Sequence, residues 1–164
     1  MRGEARGRSF CCGLTLEVFY RTLGERREID DLWTSTSGAV FKGLWFCGKL
    51  KAPGPEDAIL AFGMGEKIER AEDVLAGDFV QLWRNSGSGH SVIFVDWARD
   101  LDGKVVGIHY WSTQPGTKGI SFNTELFGAG GGMVDRLRTS FARLRARGKW
   151  NIDSIRAHGE APEQ

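Results

Sequence analysis

Cysteine is scarce in this chain, with three in 164 residues, and Cys11, Cys12 and Cys47 include no Cys-x-x-Cys spacing. That pattern argues against a disulfide framework and a standard zinc knuckle, and in favour of reduced thiols. Long apolar runs are also missing: no stretch approaches the roughly 20 apolar residues needed to cross a bilayer, so no membrane segment is expected. Nor is there an excess of one charge, since 22 basic side chains nearly cancel 21 acidic ones and leave +1. Without a whole-protein field the chain does not read as a nucleic-acid binder, and a peptide or other amide-containing ligand fits better. The basic start Met1-Arg2-Gly3-Glu4-Ala5-Arg6-Gly7-Arg8 precedes an apolar run broken by Thr15, Glu17 and Arg21, so no signal peptide is visible. As written the chain reads as cytoplasmic, with export the alternative if a longer amino terminus precedes it. No internal repeat is apparent, and the oligomeric state is not legible.

The length fits one domain with a substantial core, expected over residues 1–157, followed by a disordered tail at 158–164 that has no apolar residue beyond alanine. Six Trp and ten Phe supply large side chains for that core or for a ligand groove. Leu14 and Val18, with Phe19 and Leu23, predict a helix over residues 11–24 ending at Gly24. Ile29, Leu32 and Trp33, then Val40, Phe41, Leu44, Trp45 and Cys47, suggest further buried helix. After Pro53-Gly54-Pro55, the acids Glu56 and Asp57 open a short helix over 56–62. Strands rich in Val, Ile, Phe and Trp are expected at 79–83, 91–97 and 105–111, with a fourth at 119–123, as an antiparallel meander. Beyond the Gly128 to Gly132 loop, residues 134–144 fit either a basic amphipathic helix or a strand from Thr139 to Leu144. Helices first and a small sheet second give an α+β class.

Cys11 stands at the start of the first predicted helix, where unpaired N–H groups and a partial positive charge favour a thiolate. Cys12 lies about 100° around a regular helix, so the two thiols are not expected to share one partner. His90, set between Gly87-Ser88-Gly89 and the apolar strand from Ser91 to Val95, is the candidate base. A cysteine and a histidine on separate elements are the minimum parts of a cysteine hydrolase, and a general base needs an orienting acceptor. If Asp102-Gly103 closes a hairpin, the residue opposite His90 falls near positions 113 to 115, which nominates Gln114. His109 then lies farther along the strand and is the alternative. Structural roles as a buried thiol or a satisfied core histidine are the competing readings of Cys11 and His90.

Ser86-Gly87-Ser88-Gly89 lacks the lysine and helix of a phosphate loop and reads as the turn before His90. The basic residues between Arg136 and Lys149 read as a solvated face, with an acidic glycan or nucleic acid as the alternative contact. Cys11, Cys12 and His90 as metal ligands are disfavoured, because adjacent cysteines make a cramped chelate. No cofactor is called for.

Cys11-Cys12-Gly13-Leu14 resembles the Cys-Ser-Gly-Leu start of the nucleophile helix in NlpC-type cysteine peptidases, bacterial cell-wall hydrolases of the papain-like superfamily. Glu72-Asp73-Val74-Leu75-Ala76-Gly77-Asp78-Phe79-Val80 is similar to their acidic-Leu-x-Pro-Gly-Asp-Leu-Val segment, and Gly89-His90-Ser91-Val92-Ile93-Phe94 to their Gly-His-Val-Gly-Ile-Tyr. The three motifs occur in the family's order. The resemblance implies a papain-like fold, with a nucleophile helix packed on a small antiparallel sheet. It further implies a thiol peptidase or amidase, with Cys11 as nucleophile, His90 as base and a third polar residue on the adjoining strand. Cell-wall peptides are the substrate it suggests. Aligning Ile108-His109 with the family's Ile-His-Ala-Ser favours His109 for the third position, whereas strand pairing favours Gln114. Phe10 replaces the acid that commonly precedes the family's cysteine, and Cys12 replaces its serine. An inactive papain-like binding module and a thiol acyltransferase are the alternative functions.

Overall fold

A computed structural model describes residues 10–23, 35–47, 51–114, 116 and 118–158. Four helices and a six-stranded antiparallel sheet are found there, an α+β architecture. Helix α1 spans Cys11–Thr22, α2 Ser35–Trp45, α3 Pro55–Ala61 and α4 Ile152–Ala157. The strands are β1 Gly65–Lys67, β2 Phe79–Trp83, β3 Gly89–Arg99, β4 Val105–Gln114, β5 Gly119–Leu126 and β6 Ser140–Leu144. Their spatial order is β1-β6-β2-β3-β4-β5. The predicted meander is therefore β2 to β5, and β6 adds to it on the far side of β2.

Thr15, Leu16, Phe19 and Leu23 recur at three-and-four spacing on α1, and all four are buried. Phe19 stacks on Phe41 of α2 with ring centroids 4.8 Å apart, and Trp45 meets Phe79 of the sheet edge-on at 5.1 Å. This aromatic cluster holds the helices on the sheet. Removing one such ring, as in Phe41→Ala, costs about 3–5 kcal/mol. The other sheet face carries Val80, Leu82, Val92, Phe94, Ile108 and Tyr110, packed with Ile68, Val74 and Val134.

Helix α3 starts on Pro55, with Glu56 and Asp57 in its first turn, as those residue types dictate. Gly54 before it has φ +61°, and a Cβ there would come within 2.6 Å of Cys47 Sγ, so only glycine fits. Helix α4 was not anticipated; Asn151 caps it by accepting from the N–H groups of Asp153 and Ser154. Residues 140–144 are a strand and not a helix, because Phe141 and Ala142 pair with Val80 and Phe79 of β2. The tail boundary also moves. His158 follows α4 and packs on the Phe62 ring at 4.5 Å, so it belongs to the fold. Ile29, Leu32, Trp33, Gly24 and residues 159–164 lie outside the described residues. No helix among the described residues is long and apolar enough to cross a membrane.

Candidate active site

Cys11 is the first residue of α1, after the extended Phe10, and is partly buried. His90 is the second residue of β3 and is buried. Gly89 makes that approach possible: a Cβ there would meet the Trp83 ring at 2.7 Å and Gln81 Nε2 at 2.9 Å. The two segments are tied together by one buried hydroxyl. Thr15 Oγ1 accepts the Trp45 indole N–H at 3.1 Å and lies 2.9 Å from Ser91 Oγ and 3.2 Å from the Cys12 carbonyl oxygen. Ser112 Oγ donates to the Ser91 carbonyl at 2.9 Å. The residue after the thiol and the residue after the imidazole are thus fixed to the same atom.

The thiols do not behave alike. Cys11 is drawn down to about 4, first by a hydrogen bond from Cys12, whose sulfur is 3.8 Å away. Burial opposes this, and the His90 side chain and the Ser91 backbone N–H lower it further. Cys12 is pushed up by giving its proton to that bond, by burial and by the charge on Cys11. The pair shares one negative charge, drawn to Cys11 by the further influence of His90 and the Ser91 backbone, which lower it and do not act on Cys12. Cys47 is pushed up to about 11 by burial, then by the charges of Cys11 and Asp57. The expectation that adjacent thiols diverge holds for His90, which acts on Cys11. The two sulfurs themselves lie 3.8 Å apart.

Strand register separates the two candidates for the third position. Ile93 pairs with Trp111 and Phe94 with Tyr110, where the β3–β4 pairing starts; the same register extended beyond Ile93 would place Gln114 across from His90. A bulge between Phe94 and Asp96 then brings His109 opposite Asp96, well along β3 from His90. The His109 ring instead meets Thr124 Oγ1 through Nδ1 at 2.6 Å. The expected hydrogen bond from His90 to Gln114 is not formed. His90 Nε2 is buried without a hydrogen-bond partner, and the Gln114 carboxamide lies 2.9 Å from the Tyr110 hydroxyl.

That hydroxyl centres a polar network that sequence reading missed. Tyr110 Oη is 2.6 Å from Glu125 Oε1 and receives Asn123 Nδ2 at 3.1 Å, while Arg84 forks onto both Glu125 oxygens at 2.6 Å each. Burial, and then the Glu125 carboxylate, raise the Tyr110 phenol above its ordinary range, so it stays protonated. The Tyr110 ring also packs edge-on against His90, with centroids 5.5 Å apart. Asn123 and Glu125 alternate on one face of a strand whose other face carries Ile120, Phe122 and Leu126. That alternation was the available signal.

Among the described residues, no group of three or more His, Cys, Asp or Glu side chains is arranged to hold a metal ion. No known family, curated protein or solved structure matches the chain.

Proposed function

We propose that the protein is a thiol-dependent amide hydrolase of papain-like type, with Cys11 as nucleophile and His90 as acid and base. The observation that carries this reading is a thiol drawn down to about 4 at a helix start, with His90 beside it. A cysteine serving only as packing is ordinarily pushed up by burial, and this one is lowered against it. The Cys11 sulfur adds to the amide carbonyl carbon, and the backbone N–H of Cys11 is a donor for the resulting oxyanion. As the C–N bond breaks, His90 gives its proton to the departing amine, leaving an acyl thioester on Cys11. His90 then takes a proton from water, whose oxygen adds to the thioester carbonyl and expels the thiolate with a free acid.

Gln114 takes the orienting role through Tyr110. A phenol has one hydrogen and two acceptor sites. Glu125 Oε1 at 2.6 Å and Gln114 Oε1 at 2.9 Å both face that hydrogen, and Asn123 Nδ2 donates to the phenol oxygen at 3.1 Å. Gln114 is thereby held against the phenol whose ring packs edge-on on His90, with centroids 5.5 Å apart.

The test is acid-quenched mass spectrometry of the protein after incubation with peptidoglycan fragments and an acyl-peptide library. A thioester on the Cys11 peptide, lost in Cys11→Ser, is expected together with amide cleavage. Rapid alkylation of Cys11 with neither thioester nor cleavage would favour the binding module. Transfer of the acyl group to an added amine, in place of water, would favour the acyltransferase.

A further inference from the structure

A groove of about 640 Å³ opens away from the thiol, and neither Cys11 nor His90 lines it. Its volume lies within the range of ligand sites, roughly 300–1,000 Å³. Five cations face it, Lys51, Lys67, Arg70, Arg136 and Arg138, against two lining acids, Glu56 and Glu69. Lys67 Nζ is 3.9 Å from Glu56 Oε1, Arg70 pairs with Glu72 and Asp73 outside the lining, and Arg138 pairs with Asp135. Lys51 and Arg136 have no salt bridge among the described residues; Arg136 lies over the Phe127 ring at 5.5 Å. Glu56 adds little repulsion for an anion. Its buried carboxyl has an oxygen without a hydrogen-bond partner, and burial raises its pKa.

Beneath the cations the floor is aromatic. Trp97 is flanked by Phe94 at 4.9 Å, Phe141 at 5.5 Å and Phe127 at 6.3 Å, an apolar surface of edge-on and tilted rings. At the rim Leu137 is 96% exposed. It is held outward by a tight turn, because Asp135 Oδ1 accepts the Leu137 N–H at 3.0 Å. An ordered, exposed leucine between Arg136 and Arg138 presents apolar surface and positive charge together.

We infer that this groove docks an acidic peptide segment of a partner protein, with its carboxylates at Lys51 and Arg136 and an apolar side chain on the Leu137 and aromatic surface. Positive charge fits the carboxylates, and the exposed Leu137 between Arg136 and Arg138 offers an apolar contact suited to a peptide side chain more than to a phosphate backbone. The docking is separate from the chemistry at Cys11 and stands whether or not the protein is a hydrolase.

Titrating the full chain with a ten-residue peptide of alternating glutamate and leucine, followed by Trp83 and Trp97 fluorescence and by calorimetry, tests the assignment. Saturable binding is expected, weakening as salt is added, with the matching lysine-leucine peptide at least about tenfold weaker. Lys51→Glu with Arg136→Glu should weaken binding about tenfold or more, and Leu137→Ser several-fold. Both variants should keep the parent unfolding midpoint and the parent rate of Cys11 alkylation. Equal affinity for the lysine peptide, binding untouched by either variant in a folded protein, or tighter binding of a single-stranded oligonucleotide would each overturn it.

Discussion

Replacing Cys12 by alanine removes the largest influence that lowers Cys11 while leaving His90 and the Ser91 N–H in place. A hydrogen bond to a charged group contributes about 1.5–3 kcal/mol, and one pKa unit is about 1.4 kcal/mol. Even the low end of that range gives about one unit, and because Cys12 is the largest of the influences that lower Cys11, its midpoint should rise from about 4 by at least that much. Cys12→Ser retains a hydroxyl donor and should stay near the parent value. The sign follows from the acid: Cys11 is thiol below its midpoint and thiolate above it. Parent reactivity should therefore climb as pH rises through about 4 and be level from about pH 6 upward, while Cys47, pushed up to about 11, stays unlabelled.

The assay is the iodoacetamide rate against pH, read peptide by peptide in a mass spectrometer. A disulfide reagent gives an independent reading. Thiolate nucleophilicity rises with pKa with a Brønsted slope of about 0.4–0.5, so the level rate for Cys12→Ala should rise at least about threefold. Three outcomes would refute the reasoning: a parent midpoint near the ordinary thiol value of about 8.5, an alanine variant that titrates like the parent, or Cys12 alkylating ahead of Cys11.

Turnover offers a second check, in which Cys11→Ser abolishes amide cleavage and Cys12→Ser keeps most of it; the reverse would shift the nucleophile by one residue. Gln114→Ala should lower kcat more than His109→Ala, with Tyr110→Phe also lowering kcat and the Cys11 alkylation rate little changed in all three; the opposite order would return the third position to His109. Thr15→Val keeps the shape but strands the Trp45 N–H and the Ser91 hydroxyl, at about 1–3 kcal/mol for each group left unpaired, measurable by urea unfolding. Asp78→Ala should cost about 3–5 kcal/mol, because the carboxylate is buried and holds Arg143 through both oxygens at 2.8 and 2.7 Å; a loss below 1 kcal/mol would refute it.

Elements that bury a long, regular face were legible in the sequence. Strand β2, apolar at four of five positions, and helix α1, with Leu16, Phe19 and Leu23 in step, emerge at or near their expected bounds. Strand β1 was not, since Gly65-Glu66-Lys67 is three residues of edge strand with no apolar alternation, defined by pairing with β6. Residues 134–144 carry both periods, because Val134, Leu137, Phe141 and Leu144 fit a helix while Phe141-Ala142-Arg143-Leu144 fits a strand. Pairing with β2 decides for the strand, and the ion pair of Arg143 with Asp78 secures it. Leu137, read from the helical pattern as part of an apolar face, is instead fully in solvent.

The same contrast holds at the site. Cys11 and His90 could be named because each announces itself locally, one by a helix start and the other by a glycine lead-in to a strand. Gln114 needed the hairpin register, which spacing from the Asp102-Gly103 turn approximates; the β3–β4 pairing itself runs from Ile93 with Trp111. Arg84, Tyr110, Asn123 and Glu125 come from β4, β5 and the end of β2, and no local pattern connects them. They converge because antiparallel pairing sets Tyr110 opposite Asn123 and Ile108 opposite Glu125. A buried phenol with one hydrogen then orders its three neighbours, and through Gln114 that order reaches the face on which the imidazole lies. For His90 as the proposed base, the rigidity of its surroundings would therefore come from the β4 and β5 pairing and not from its own motif.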